Sequence, residues 1–427
     1  MSQPHDTPTP PFRTASDLRK ALGPGILVAC AAVGGSHLVW STRAGAEFGW
    51  SLLGLVLLAN LLKFPFFLYG QRYTAATGES LLAGYRRQGM AFVWIFLLIN
   101  ILTGTINIAG VAMLSGALLT GYGIGSLSVA QLTVVLLGIC TLLLLLGHYR
   151  ILDGLAKAIV TILALSTLVA VAVAVPKAAS VPADFVSPSP WTVASFAFLV
   201  SLLGWMPAPV DLSAWSSLWM FSREKQTGHF ATPRETAIDF YIGYIATTVL
   251  AVLFLALGAL VMHGSGLSFS ASGIAFSQQL VNLYAETIGD WSRPLILTAA
   301  FVTMFSTTLT CVDGYPRSLT ACCLLIGDLS NRYFRPIQNL WIVLTVGSAA
   351  VVVLFFVKTL VQLLTFAAIV SFLTSPVIAW INYRVMRGDN VPAAQRPGLL
   401  LHVLSWLGLA FFTAMAAGYL YLTFAKI

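Results

Sequence analysis

The chain has 427 residues, 58% of them hydrophobic and only 9% charged, with a formal net charge of +8. Soluble domains carry about 25% charged residues, so these charges cannot cover a water-facing surface of this size. A nucleic-acid-binding role is excluded by where the charge falls. Arg13, Arg19 and Lys20, then Arg86 and Arg87, Arg150, Arg223 with Lys225 and Arg234, Arg332 with Arg335, and Arg384 with Arg387 and Arg396 occupy alternate short loops. The intervening loops hold little beyond Lys177, Arg293 and Lys358. This is the positive-inside pattern of a multi-pass membrane protein.

A membrane helix needs roughly 20 apolar residues, and the chain supplies such runs repeatedly. Residues 1–20 are polar and Pro-rich, without the apolar stretch of a cleavable signal peptide, and are expected to form a cytoplasmic tail. Eleven apolar segments follow, near 22–49, 51–76, 91–119, 128–147, 151–175, 191–221, 236–262, 292–315, 337–357, 359–384 and 399–423. They read as a single transmembrane transporter domain over 21–423. A first repeat covers about 21–175, a second about 191–384, and an extra helix lies at 399–423, which puts the C-terminus outside. The loop from His263 to Asp290, Gly/Ser-rich and then mildly amphipathic, is expected to hold a short surface helix. The plasma (inner) membrane is the expected location, with lipid as the surroundings and no obligate protein partner.

Two of the segments are wrong for plain membrane helices. The first contains Val33-Gly34-Gly35-Ser36-His37 and the sixth Gly204-Trp205-Met206-Pro207-Ala208-Pro209. An interior glycine costs a helix about 1 kcal/mol and an interior proline about 3 kcal/mol. In lipid the freed backbone groups must also find partners, so breaks of this kind persist where they line a cavity. Segments five apart that share a break are what two inverted five-helix repeats produce, with the substrate held at both breaks. No nucleophile–base pair or nucleotide loop lies near them, so no enzyme and no cofactor is expected. The cysteines Cys30, Cys140, Cys311, Cys322 and Cys323 sit mostly inside apolar segments and read as small core residues.

Gly23-Pro24-Gly25, Arg43-Ala44-Gly45-Ala46-Glu47-Phe48-Gly49-Trp50, Leu58-Ala59-Asn60-Leu61 and Thr77-Gly78-Glu79-Ser80-Leu81 resemble the start of the Nramp family of proton-coupled divalent-metal transporters. The match runs without gaps through about the first eighty residues and agrees in helix count thereafter. The resemblance implies an all-α membrane protein of the LeuT-type fold, with 11 transmembrane helices and broken helices 1 and 6. It also marks a departure. The family's first-helix signature Asp-Pro-Gly-Asn falls on Gly34-Gly35-Ser36-His37, and its sixth-helix Met-Pro-His on Met206-Pro207-Ala208. The third helix of the family carries acidic residues tied to proton movement, where this chain offers only Asn100, Thr103, Thr105 and Asn107.

A divalent cation entering low dielectric requires formal negative charge, and those replacements remove it. The expected substrate site is Gly34, Gly35, Ser36, His37, Arg43, Met206, Pro207 and Ala208, with a small oxyanion, bicarbonate, as the first reading and manganese or magnesium as the alternative. A non-transporting sensor on the same fold is the third. On an α-helix Ser36, Trp40, Arg43 and Glu47 share a face at i, i+4, i+7 and i+11. Arg43 is expected to pair with Glu47 or, across the cavity, with Asp211, a pair whose breaking would gate access; Asp211 is alternatively a cation-coupling carboxylate, and the spacing does not decide. Ser306, Thr307, Thr308 and Thr310 form a hydroxyl patch in the eighth helix. LeuT-type relatives that bind sodium use hydroxyls of this helix, so the patch is a coupling-ion candidate, with sodium or a proton as the ion. Asp313 is expected to pair with Arg317 at i+4, and Lys63 is given no role.

Overall fold

In the computed structural model, residues 15–123, 127–147, 149–177, 184–266, 269–270, 272–357 and 359–425 are described, with side chains apart from 15, 16, 149–160 and 177. Most of the expected tail (1–14, with Arg13), the Arg150 and Lys177 side chains and Lys358 lie outside these limits. Each of the eleven apolar segments is helical. After a short α1 (Ala15–Ala21), the first segment divides into α2 (Pro24–Ala32) and α3 (Thr42–Phe48). Then come α4 (Leu53–Thr77), the short α5 (Leu81–Gln88), α6 (Met90–Leu119), α7 (Val129–Leu145) and α8 (Tyr149–Ala174). The sixth segment divides likewise into α9 (Phe196–Trp205) and α10 (Leu212–Thr227). The chain continues through α11 (Pro233–Val261), α12 (Gly273–Ile288), α13 (Arg293–Gly327), α14 (Phe334–Val351), α15 (Leu360–Met386) and α16 (Leu399–Phe424). Among the described residues, 7 helices are long and apolar enough to cross a membrane by themselves. The expected surface helix of the long loop is α12, which buries Phe276, Leu280, Leu283 and Tyr284.

Both breaks fall where the glycines and prolines put them. Between α2 and α3, Val33 and Gly34 leave the α-helix, and the chain resumes at Gly35 and winds as a π-helical turn over Ser36–Ser41 before α3 begins. Between α9 and α10, Met206 to Asp211 is non-helical, with a cis peptide joining Met206 to Pro207.

Helices five apart along the series pack together. The most extensive contact joins α6 to α13, α4 lies against α11, and α2 meets α10. The elements fall into two groups: α2, α3, α4, α10 and α11 on one side, and α6, α7, α13 and α14 on the other. The helix α15 contacts α9 and α6 from across the divide. Both breaks sit on the boundary between the groups, the place a two-repeat reading assigns them.

Close glycine contacts hold α11 on both halves of the broken first helix. A Cβ on Gly25 would overlap the Asp239 carbonyl, and one on Gly243 the Gly25 carbonyl. Farther along, a Cβ on Gly45 would overlap the Leu255 carbonyl, and one on Gly258 the Thr42 carbonyl. Small residues that let backbones approach are the main device for associating helices in lipid. Because the obstruction at Gly45 is backbone, no side chain can yield. Gly45→Ala should therefore destabilise the protein by roughly 1–3 kcal/mol or more, seen as a lower unfolding midpoint of the detergent-purified protein. An unchanged midpoint would mean that α3 and α11 are not in this contact.

Sequence reasoning ended the eighth segment near 315, whereas α13 runs 35 residues to Gly327. Asp313, Pro316 and Arg317 look like a helix end in lipid. The bundle instead accommodates them: Arg317 Nη2 lies 2.7 Å from Asp313 Oδ1, as expected from their spacing. Trp219 Nε1 and Gln338 Nε2 also donate to that carboxylate at 3.0 and 3.2 Å.

Candidate functional site

The two breaks enclose a cavity of about 30 Å³ whose lining includes Gly35, Ser36, Asn107, Trp205, Thr307 and Tyr315. Since one water needs about 10–15 Å³ by this measure, the space fits a body of two or three waters. That excludes a cargo as large as an amino acid in this state. The rest of the lining is small or apolar (Ala31, Ala32, Val111, Ala208, Pro209, Leu212, Cys311), apart from Trp215. Among the described residues, no carboxylate lines it and no group of three or more His, Cys, Asp and Glu could hold a metal.

Asn107 organises the polar side of this space. Asn100, Thr103 and Asn107 are spaced i, i+3, i+7 and all are buried in the core-facing stripe of α6. The Asn107 amide donates to the Tyr315 hydroxyl at 2.7 Å and to Ser371 Oγ at 3.0 Å. Its carbonyl accepts from Trp205 Nε1 at 3.0 Å. One side chain thus ties α6 to α9, α13 and α15. Trp215, also in the lining, is buried with its Nε1 unpartnered, which leaves a spare N–H donor on a residue of the cavity wall.

Below the cavity the aromatic rings form a layer. Trp215 meets Tyr315 edge-on at 4.5 Å between centroids and Trp219 at 5.9 Å. Gly314 must be glycine for this packing, because a Cβ there would enter the Trp215 ring. Directly against the layer, Asp313 and Leu218 line an open vestibule of about 1000 Å³. Arg86, Lys225, Arg317, Arg332 and Arg335 also line it, with Glu79 and Asp328. Apart from Arg317, which lies inside α13, these cations come from the loops that the charge pattern assigned to one side, and the structure gathers them at one end.

On the opposite wall Thr307 reaches the first break. Its Oγ1 is 3.1 Å from the Cys30 carbonyl and 3.3 Å from the Val33 carbonyl, and 3.1 Å from Thr303 in its own helix. Gly34 permits the approach, since a Cβ there would stand 2.9 Å from Thr307 Cγ2 and Oγ1.

Comparison with known proteins places this architecture. The model of the Natural resistance-associated macrophage protein-like (Nramp) family matches residues 25–423. The chain belongs to the Nramp family. An uncharacterized protein of Pasteurella multocida, PM0681, is 42% identical over 399 residues, 92% of this chain and 90% of that protein. The divalent metal cation transporter MntH of Brucella suis is 26% identical over 320 residues, covering 72% and 67% of the two chains. Crystal structures of mutants of a manganese transporter from Eremococcus coleocola share the fold: one has a TM-score of 0.64 at 15% identity, covering 95% of this chain and 87% of that one. Nramp membership makes this an all-helical, multi-pass transporter of the LeuT-type fold.

Within the Nramp framework several expected site residues stand elsewhere. His37 does not line the cavity. It turns to α11, where Nε2 meets the Thr247 carbonyl at 2.8 Å. A carbonyl only accepts, so Nε2 carries a proton. Nδ1 lies 2.6 Å from Ser36 Oγ, and the ring sits edge-on to Phe254. Nε2 holds the break against α11, and Nδ1 is spent within the first segment itself. Arg43 is also remote from the cavity lining. Its Nε donates to Glu47 Oε1 at 2.8 Å, and its guanidinium lies 5.4 Å from the Trp40 ring and 5.3 Å from Phe198. The Arg43–Glu47 pair expected from spacing is present, whereas the pair with Asp211 across the cavity is not. The reason is register: Ser36–Ser41 winds as a π-helix, so a face computed at 3.6 residues per turn does not carry through it.

Gly35, Ser36 and Ala208 line the cavity as expected. Gly34 serves as the contact for Thr307, and Met206 is a fully buried cap of α9 outside the lining, followed by Pro207. The hydroxyl patch divides. Thr307 alone reaches the first break, Thr308 Oγ1 lies 2.9 Å from Ser115 Oγ on α6, and Thr310 donates back to the Thr307 carbonyl at 2.8 Å. Ser306 is buried outside the cavity lining. Asp211 is buried at the start of α10, accepts from Thr103 Oγ1 at 3.3 Å, and also engages the hydroxyl of Tyr315, a residue of the cavity lining. Sequence reading missed Trp205, Trp215, Tyr315 and the centrality of Asn107. The i, i+3, i+7 stripe of α6 was the available signal for Asn107.

Proposed function

We propose that this protein is a secondary transporter that carries a small monovalent anion, bicarbonate being the best fit, together with sodium by alternating access. The observation that carries this reading is a cavity at both helix breaks whose lining contains no carboxylate. A divalent ion would there have to shed water for neutral oxygens alone, which does not offset its desolvation. A singly charged anion needs only N–H and O–H donors, and Trp215 Nε1 is a free one. Thr307 joins that lining to the carbonyls of Cys30 and Val33. Oxygen donors without formal charge suit sodium, and a sodium ion there supplies the positive charge an anion prefers nearby. Coupling the two also keeps the moving load neutral. The basic loops orient the protein in the plasma (inner) membrane with the N-terminus in the cytoplasm.

A divalent metal, manganese or magnesium, is the second reading. It rests on the Brucella relative described as a divalent metal cation transporter, on Cys311 in the cavity lining, and on Met206 beside it, soft ligands that a transition metal accepts.

Proteoliposomes test the first reading. Labelled bicarbonate should enter saturably under an inward sodium gradient and at least about tenfold more slowly when choline replaces sodium, a coupling of about 1.4 kcal/mol or more. Thr307→Ala should abolish the sodium dependence. Saturable manganese uptake without bicarbonate uptake overturns it in favour of the second.

A further inference from the structure

We propose that Lys63 is a tethered cation built into the second break, occupying the place that a bound metal or sodium ion would take among its carbonyls. Lys63 lies mid-way along α4 and is fully buried. Its Nζ donates to the carbonyls of Leu203, Gly204 and Ala208 at 2.7, 2.9 and 3.0 Å. These three oxygens are the ones that the break orphans. In a continuous helix Leu203 would accept from residue 207, which is Pro207 and has no N–H. Gly204 would accept from Ala208, which lies beyond the end of α9. Ala208 would accept from Leu212, whose N–H goes instead to Pro209 at 3.2 Å. An ammonium has three donors, and each is used on one orphan.

A ring of neutral carbonyls freed by a helix break is what a hard cation seeks, and in lipid such carbonyls cannot be left bare. Lys63 satisfies them covalently. Its charge is opposed by Asp211, the nearby buried carboxylate of the same break, which is not within ion-pair distance of it. Ala208 belongs both to this cluster and to the cavity lining. The break is therefore closed to a cation from the cavity side, and a fixed positive charge stands one residue behind the wall.

The test is the stability of full-length protein purified in detergent, a readout that does not depend on which ion the cavity carries. In choline chloride, Lys63→Ala should lower the unfolding midpoint by at least about 5 °C. Methylammonium chloride at the same ionic strength should restore much of that loss, because a free alkylammonium can enter the vacated place, while leaving the wild type unmoved. Lys63→Met should be lowered too and should not respond, since its side chain fills the space without donors. The proposal is overturned if Lys63→Ala is as stable as wild type, or if it is destabilised yet indifferent to methylammonium. If Lys63→Ala does not fold, Lys63→Met decides alone: wild-type stability for it contradicts the assignment, and a midpoint lowered as stated upholds it.

Discussion

Asn107→Asp should weaken anion transport at least about tenfold, or about 1.4 kcal/mol, and should give the protein a manganese affinity that the wild type lacks. The substitution keeps the shape but replaces the amide NH2, the donor to Tyr315 and Ser371, with a second acceptor oxygen, and so places a carboxylate on the wall of a cavity that has none. Formal negative charge is what a divalent cation requires on leaving water, and the same charge repels an anion. Asn107→Ala separates charge from architecture. It leaves the Trp205 indole N–H without its acceptor and the Tyr315 hydroxyl and Ser371 without their donor. Each buried group so stranded costs about 1–3 kcal/mol, so with three of them a loss of roughly 3 kcal/mol or more in stability is expected, with transport impaired and no gain of manganese binding. Calorimetry with manganese and bicarbonate uptake on the same preparations measure both effects. If Asn107→Asp transported bicarbonate like the wild type, the anion would not be passing Asn107.

Asp239→Ala should be the most damaging change outside the cavity. From α11 its carboxylate accepts from the Gly23 N–H at 2.9 Å and the Gly25 N–H at 2.5 Å, where α2 begins. Helix N-termini leave N–H groups without internal partners and carry a partial positive charge. A buried carboxylate meets both needs. Hydrogen bonds to a charged group are worth about 1.5–3 kcal/mol each, and removing two should cost roughly 2–4 kcal/mol once water reaches the exposed end. Asp239→Asn, which keeps an acceptor without the charge, should lose about half as much. Thermal unfolding in detergent checks the order. Equal midpoints for the wild type and Asp239→Ala would mean that α2 is not anchored by α11.

The helices and their breaks were legible because membrane burial leaves a coarse signal. Length, hydropathy and adjacent glycines or prolines suffice for it, so 22–49 and 191–221 could be read as broken. The inside of the site was not legible to the same degree. His37 was assigned to the cavity from the family's first-helix signature and turns instead to α11, while Arg43 was placed on an α-helical register that the π-helical turn interrupts. Arg43 and Glu47 illustrate what survives: their i, i+4 spacing lies wholly beyond that turn, and the pair is made. Lys63 and Asp239 could not be interpreted from their own neighbourhoods, because their partners lie 140 and 216 positions away in the chain. Thr307 was visible only as one hydroxyl among four, and packing against Gly34 singles it out.

Anion transport here depends on a cavity that offers a cation no charged ligand. Isothermal titration of manganese into the purified wild type, at neutral pH in sodium chloride, tests this most directly. No saturable heat is expected. One manganese bound per chain with micromolar affinity, lost on Cys311→Ser or Met206→Leu, would contradict it and install the metal as cargo.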